Sequence, residues 1–342
     1  MNIIFLTIFY LTFVFLINYL IEKKGYLSNF SGEQHQVFLN VDNVPLTGGI
    51  FLFLPACLLL KNYQLFILFF SLILILGFLS DKKYLKSARL RFAAQLTIIF
   101  FFVFLSDINI SNTRIYFLDL LLQNSLFSYF FSVFCILILI NGSNFIDGLN
   151  GLLLGYFFLI FFFLIYLGLF NKIELHENEI NLLVIATFLI LVLNFSNKLF
   201  MGDSGAYSIG FLISFLLIKI YNLNPEVSPF FIITLIWYPC FENLFSILRK
   251  FRFKSSPLRP DSKHLHQLIF FYLKEKIRFK NIFINNLTSI LINLFNCFIF
   301  FLASQDIYHT KYQVYLILFS IAVYSIIYVV LLKFKYKKIS FF

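Results

Sequence analysis

Charge is scarce in this chain. Of 342 residues only 13% are charged, against about 25% in an ordinary soluble domain, and 61% are hydrophobic. One water-soluble core cannot absorb that much apolar surface, whereas helices of about 20 residues spanning a bilayer can. Cysteine is also sparse. Cys57, Cys135, Cys240 and Cys297 each lie inside an apolar run without metal-ligand spacing, which excludes a disulfide framework or a thiolate metal site and leaves packing as their role. Neither an internal repeat nor a low-complexity linker nor a separate soluble segment is present, so residues 1–342 read as one integral membrane domain. Phenylalanine is plentiful at 52, alongside Ile, Asn and Lys, as in chains encoded by A/T-rich codons. It is an acceptable lipid-facing residue and points to no aromatic site.

Apolar runs fall near 3–21, 47–60, 65–80, 92–106, 126–140, 151–170, 180–194, 207–221, 228–248, 283–303 and 313–332. The expected fold is therefore all-α and polytopic with about eleven transmembrane helices, or ten, since several runs need their flanks to cross a bilayer. The first run lacks a basic n-region and is followed by Glu22, Lys23 and Lys24, so it reads as a span and not a cleaved signal. With eleven spans the basic residues sort by side: 22 of the 27 Lys and Arg fall in one set of loops, and only Lys61, Arg114, Lys172, Lys219 and Lys311 in the other. The rich set is expected to be cytoplasmic. That puts the N-terminus outside, the C-terminus inside, and the protein in the cell inner (plasma) membrane. The net charge of +11 is then orientation and not a nucleic-acid signal, and it sets a cationic surface against anionic membrane lipids.

The inner loops, near 22–47, 80–91, 141–151, 195–206 and 249–282, carry the polar groups that membrane helices do not need. In NGSNFIDGLNGL (141–152), Asn141, Asn144, Asp147 and Asn150 recur every third residue. Three residues turn a helix back by about 60°, so Asn144, Asp147 and Asn150 would share an arc of about 120°. Gly148 and Gly151 either admit a substrate or end the helix. In FMGDSG (200–205), Asp203 either caps the helix that follows or offers oxygens to Mg²⁺. In GFLSDKKYLKSARLR (77–91), Asp81 precedes five basic residues. A solvated positive loop explains the bases but not an acid at the membrane end of a helix. In SPLRPDSKHLHQ (256–267), Arg259, Lys263, His264 and His266 offer donors suited to a phosphate. His264 and His266 alone are a weak metal signal. Together the inner-face acids, the amide stripe and the imidazole-guanidinium loop suit a Mg²⁺-dependent diphosphate site, with Mn²⁺ as a substitute ion.

These four motifs, in this order, together with VPLTGGI at 44–50, resemble the polyprenyl-phosphate N-acetylhexosamine-1-phosphate transferases. The resemblance implies an all-helical membrane enzyme that moves a sugar 1-phosphate from a UDP-sugar to polyprenyl phosphate at the cytoplasmic leaflet, with Mg²⁺ and release of UMP. By that resemblance Asp203 is the metal-binding acid, with Asp81 beside it. Phe200 stacks on uracil, and Asn144 and Asp147 belong to the nucleotide-sugar site. Asn150 stands with them, and His264, His266, Arg259 and Lys263 form the PDxxHxH loop. Asp81, Asp147, His264 and His266 are the catalytic candidates. Glu242 and Arg249 in PCFENLFSILRK match an acid and an arginine of the family. The PDxxHxH form resembles the hexosamine-phosphate branch more than the muramoyl-pentapeptide branch. The sequence as a whole leaves the hexosamine open between N-acetylglucosamine and a modified sugar, and a homodimer stays open as a partner.

The chain departs from the pattern in three places. The paired aspartates after the third run read Ser80-Asp81, so the acid often assigned to activating the lipid phosphate is absent. A phosphate monoester with a second pKa near 6 is largely dianionic at neutral pH without it. Asn150 stands where the pattern has a further acid, and no Lys or Arg lies between Lys24 and Lys61. Two other classes share glycines, prolines and polar residues near membrane helices. A secondary transporter or flippase is disfavoured by the lack of paired half-repeats and by polar groups at one end, not the midplane. An inactive relative that binds lipid or nucleotide is what Ser80 would signal.

Overall fold

A backbone in lipid satisfies its N–H and C=O groups only within a helix or a closed barrel, and runs of this length select helices. The computed structural model describes residues 3–25, 27, 44–173, 175–252 and 262–336. Among them every regular element is a helix: α1 (Ile3–Lys24), α2 (Gly48–Leu59), α3 (Gln64–Asp81), α4 (Ala88–Ser106), α5 (Tyr116–Leu122), α6 (Ser125–Ile146), α7 (Leu152–Tyr166), α8 (Glu177–Phe195), α9 (Gly202–Leu223), α10 (Pro229–Arg252), α11 (Leu265–Lys276), α12 (Asn281–Ser304) and α13 (Thr310–Tyr336). The protein is thus an all-α polytopic membrane protein. All eleven apolar runs are helices, but nine are long and apolar enough to cross a bilayer. The other two, α2 and α7, have 12 and 15 residues, short of the ~20 that a crossing needs. Helices α5 and α11 lie in connections where no run was expected.

Helix α9 is the axis of the fold, with 83% of its apolar window buried inside the protein. Its first turns are built from Gly202, Ser204, Gly205, Ala206 and Ser208, small residues that let neighbouring backbones approach in the way packed membrane helices do. The approach to α3 is closest. A Cβ on Gly77 would stand 2.2 Å from the Cα of Ser204, so no larger residue fits there. On α2, a Cβ on Gly49 would stand 2.9 Å from the Gly205 nitrogen. Further along, Phe66 of α3, Phe102 of α4 and Phe211 and Phe215 of α9 form a packed aromatic core, with Phe66 stacked on Phe211 at 5.2 Å and Phe102 edge-on to Phe211 at 4.9 Å. Part of the phenylalanine excess is therefore interior packing, while Phe5, Phe9, Phe130 and Phe298 are exposed on the outer surface of the helices.

The loops gather into two groups. At one end Arg114 reaches the carbonyls of Tyr308 and Glu226, each at 2.8 Å, and so ties the α4–α5, α9–α10 and α12–α13 connections together. Lys61 pairs with Glu179 and Lys172 with Glu226 in the same group, each at 2.6 Å. At the other end Asn18 of α1 donates to the Lys198 carbonyl at 2.9 Å, the Phe200 amide donates to the Pro45 carbonyl at 2.9 Å, and the Gly48 amide donates to the Phe200 carbonyl at 3.1 Å. The ties join loops that the basic-residue tally had already assigned to one side.

Candidate active site

Where α3 ends and α9 begins two acids meet, and the cap of α9 comes from Asp81, not from Asp203. The first N–H groups of any helix lack intrahelical partners and favour a nearby carboxylate. At α9 that carboxylate is Asp81, whose oxygens accept from the backbone N–H of Asp203 at 2.8 Å and of Ser204 at 3.1 Å. Gly202 makes this possible: its φ is +66°, and a Cβ would lie 2.9 Å from both Asp81 oxygens. Asp203, one of the two readings of which was the cap, is instead held by side chains. Its Oδ2 accepts from Ser80 Oγ and, at 2.8 Å, from Arg91 Nη1.

The asparagine stripe divides at Asp147. Helix α6 stops at Ile146 with Asp147 as its C-cap, so the expected arc does not continue on one helix, and Gly148 and Gly151 belong to the turn. Asn141 lies earlier on α6 and donates to Gln95 Oε1 at 3.1 Å. Asn144 is half-buried in the last turn of α6. Asp147 joins the two acids above: burial, then the charges of Asp203 and Asp81, raise its carboxyl well above the usual carboxylate range. Asn150 is directed elsewhere. Its side-chain amide donates to Asn197 Oδ1 and its backbone N–H to Asn285 Oδ1 at 2.8 Å, while the Gly151 N–H donates to Asn194 Oδ1 at 2.6 Å. Asn293 completes this amide lattice through the Gly151 carbonyl at 3.0 Å, and the α6–α7 turn is thereby fixed against α8 and α12.

The histidine loop closes over the same turn. His264 is the N-cap of α11, in a capping box with Gln267. Its Nδ1 lies 2.8 Å from Glu242 Oε1 of α10, and Tyr324 OH of α13 donates to Glu242 Oε2 at 2.8 Å. Glu242 is 0% exposed and His264 5%. The His264 ring stacks on Phe145 at 5.2 Å and on His266 at 5.6 Å. His266 in turn faces the α6–α7 turn, since a Cβ on Gly148 would stand 2.7 Å from its Nε2. Arg249 Nη1 donates to the Lys263 carbonyl and, at 2.8 Å, to Tyr328 OH. Lys250 Nζ sits 6.0 Å from the centre of the Phe145 ring.

Asp81, Asp147, Asp203, His264 and His266 thus gather at one mouth of the bundle, with Asn144 in the helical turn beside them. Phe200 is half-buried, and its backbone holds the strand-like contact with Pro45 and Gly48. Lys263 Nζ lies 5.5 Å over the Tyr336 ring. Arg259 falls outside the described residues. Three participants were not singled out from sequence: Arg91, one basic residue among five in its loop; Phe145, one aromatic in a chain full of them; and Tyr324, distant in sequence with no motif around it.

Among the described residues no group of three His, Cys, Asp or Glu side chains forms a ready metal cage. Mg²⁺ does not require one, because it is bound through one or two carboxylates completed by water and substrate phosphates. The carboxylates of Asp81, Asp147 and Asp203 at this mouth are hard oxygen donors of the kind such an ion fits.

The helical fold and this mouth define a polytopic membrane protein with an acidic site closed by a histidine loop. The sequence profile described as Glycosyl transferase family 4 matches residues 63–221, a stretch holding Asp81, Asp147 and Asp203 and ending before the histidine loop. The undecaprenyl-phosphate alpha-N-acetylglucosaminyl 1-phosphate transferase of Salmonella typhi is 25% identical over 245 residues, covering 66% of this chain and 65% of that protein. A probable undecaprenyl-phosphate N-acetylglucosaminyl 1-phosphate transferase of Bacillus subtilis is 30% identical over 203 residues, 57% of this chain and 54% of that protein. The Thermotoga maritima protein named as the Salmonella one is 25% identical over 228 residues, 66% of this chain and 67% of that protein. Residues 63–221 thus match glycosyl transferase family 4, and the chain is similar to polyprenyl-phosphate N-acetylglucosaminyl 1-phosphate transferases, the resemblance that the four motifs carry. It spans a little under two thirds of the length of the Salmonella relative.

Proposed function

We propose that this chain transfers an N-acetylhexosamine 1-phosphate from a UDP-sugar to polyprenyl phosphate at the cytoplasmic face of the cell inner membrane. The observation that carries the reading is the convergence of Asp81, Asp147 and Asp203 with the His264–His266 loop at the end of the bundle where the basic residues concentrate. An oxygen of the acceptor phosphate attacks the β-phosphorus of the UDP-sugar. The bond from that phosphorus to the bridging oxygen breaks, UMP leaves with the electron pair, and the lipid keeps a diphosphate sugar. Asp203 and Asp81 would hold Mg²⁺, or Mn²⁺ in its place, which when bound neutralises charge on the diphosphate. His264, held by Glu242, and His266 beside it face the same turn and would steady the diphosphate by hydrogen bonding. Phe200 and Asn144 would take the nucleotide sugar, and Arg259 and Lys263 its charge.

Membranes carrying the protein, incubated with a panel of radiolabelled UDP-N-acetylhexosamines and polyprenyl phosphate, test this directly. The expected result is a labelled lipid that requires a divalent cation and disappears with Asp203→Asn. No labelled lipid with any member of the panel would refute the reading.

A further inference from the structure

The serine that replaces an acid in the motif pattern has a defined job. Ser80 Oγ donates to Asp203 Oδ2 and accepts from Arg91 Nη1 at 2.6 Å, while Arg91 Nη1 also reaches Asp203 Oδ2 at 2.8 Å. Serine, arginine and aspartate therefore close a small ring of hydrogen bonds. Only a hydroxyl serves here, because it donates to one partner and accepts from the other; an ionised carboxylate has no proton to donate and would be repelled by Asp203. The neighbouring residue grips the same spot from the backbone side, Asp81 accepting from the Asp203 N–H. Arg91 also differs from the other bases of its loop. Lys82, Lys83, Lys86 and Arg89 are exposed, as a positive-inside loop requires, whereas Arg91, in the first turn of α4, is turned inward and half-buried. A solvated charge run explains the four but not the fifth.

We propose that Arg91 is a resident counter-cation for Asp203, seated by Ser80, which a divalent cation must displace to bind there. The inference rests on the proposed function only in taking Asp203 to be a metal-binding acid. The Asp203 side-chain oxygens do not cap α9, which is the role of Asp81; they meet Ser80, Arg91 and the Tyr207 hydroxyl. Asp203 is therefore the carboxylate open to exchange, and a guanidinium already occupies it. A guanidinium is always charged and forms directional bonds to carboxylate oxygens, so it competes with an incoming cation at every working pH.

The test is Mn²⁺ binding to the purified full-length chain in nanodiscs, followed by the loss of the free-ion electron paramagnetic resonance signal. Arg91→Gln is expected to tighten Mn²⁺ binding by about tenfold, the order set by removing one screened positive charge 2.8 Å from a liganding oxygen. Arg91→Lys, which keeps the charge, should stay near wild type, and Ser80→Ala, which only loosens the seat, should tighten binding by roughly threefold. Asp203→Asn supplies the baseline. Arg91→Gln binding no tighter than wild type overturns the proposal; should that variant fail to fold, Ser80→Ala with unaltered affinity overturns it in its place. Wild-type sugar transfer alongside such a result would leave the proposed function standing and sink only the role of Arg91. No Mn²⁺ binding by wild type, Arg91→Gln and Ser80→Ala alike would remove both the counter-cation and the metal role of Asp203.

Discussion

Replacing Glu242 by leucine should cost more than any other single change around the histidine loop. Its carboxylate accepts from His264 and Tyr324 at 2.8 Å each, and carboxylate, imidazole and phenol are all buried. Water is excluded from the site, so a leucine of similar volume leaves two buried donors without an acceptor. Each such donor costs about 1–3 kcal/mol. Two stranded donors together give about 4 kcal/mol for Glu242→Leu. Glu242→Gln keeps an acceptor oxygen for His264 and loses chiefly the charge assistance, which gives about 2 kcal/mol. Tyr324→Phe removes one bond and leaves the stronger one, for about 1 kcal/mol. Reversible unfolding of the purified chain by SDS in mixed micelles measures all three. In the double variant Glu242→Leu with Tyr324→Phe, the tyrosine change should recover about 1–3 kcal/mol, because it removes one of the two stranded donors. A loss below about 1 kcal/mol for Glu242→Leu, or full additivity with Tyr324→Phe, would refute the view that one buried carboxylate ties α10, the histidine loop and α13 together.

Three further outcomes follow from the same geometry. Asp147 has its proton affinity raised in the folded protein, so its ionised form destabilises the fold: stability is highest below the unfolded carboxylate pKa near 4 and declines as pH rises from there through the folded value. In chelator-treated protein, Asp147→Asn should therefore be more stable than wild type at pH 7 and equal to it below about pH 4, and thermal unfolding across that range checks the sign. Gly77→Ala puts a methyl 2.2 Å from the Ser204 backbone, and since neither helix backbone gives way, folded yield on size-exclusion chromatography should fall steeply, with a cost of roughly 3 kcal/mol or more. Arg114→Ala unties three loops at the end of the bundle away from the acids; it should lower stability by about 1 kcal/mol while leaving the binding of Mn²⁺ unchanged.

Length and hydropathy made the helices legible, because a spanning segment must carry its apolar residues contiguously. They did not show that α2 and α7 would be short, since both are as apolar as their neighbours and differ only in where the backbone stops. The acids were legible for a related reason: a carboxylate beside an apolar run is expensive and therefore conspicuous. Their division of labour was not. Whether Asp81 or Asp203 caps α9 depends on the α3–α9 approach, which lies in a glycine and not in either acid. Asn150 kept the three-residue spacing of its stripe and yet joined a scaffold of asparagines from α8 and α12, because periodicity assumes a helix that Asp147 ends. Arg91 was hidden by its company, since the positive-inside rule accounts for every base in a loop and so distinguishes none.

The crowding of acids at this mouth is eased by two sources of positive potential, the first amides of α9 and the guanidinium of Arg91. Asp81 takes the N-terminal amides of α9, where the helix dipole favours a negative charge. Asp203 takes Arg91. Asp147 accepts from the Gly202 N–H at the start of α9, yet burial and the charges of Asp203 and Asp81 still raise its proton affinity. A fourth carboxylate at position 80 would face Asp203 across the space that Ser80 now bridges with a hydroxyl, and would draw Arg91 to itself. Serine there lowers the negative charge by one and fixes the guanidinium between two partners. The exchange at position 80 is thus a change in how the remaining acids are balanced, and it leaves Asp203, which is not needed to hold a helix, as the carboxylate where an incoming cation meets an arginine first.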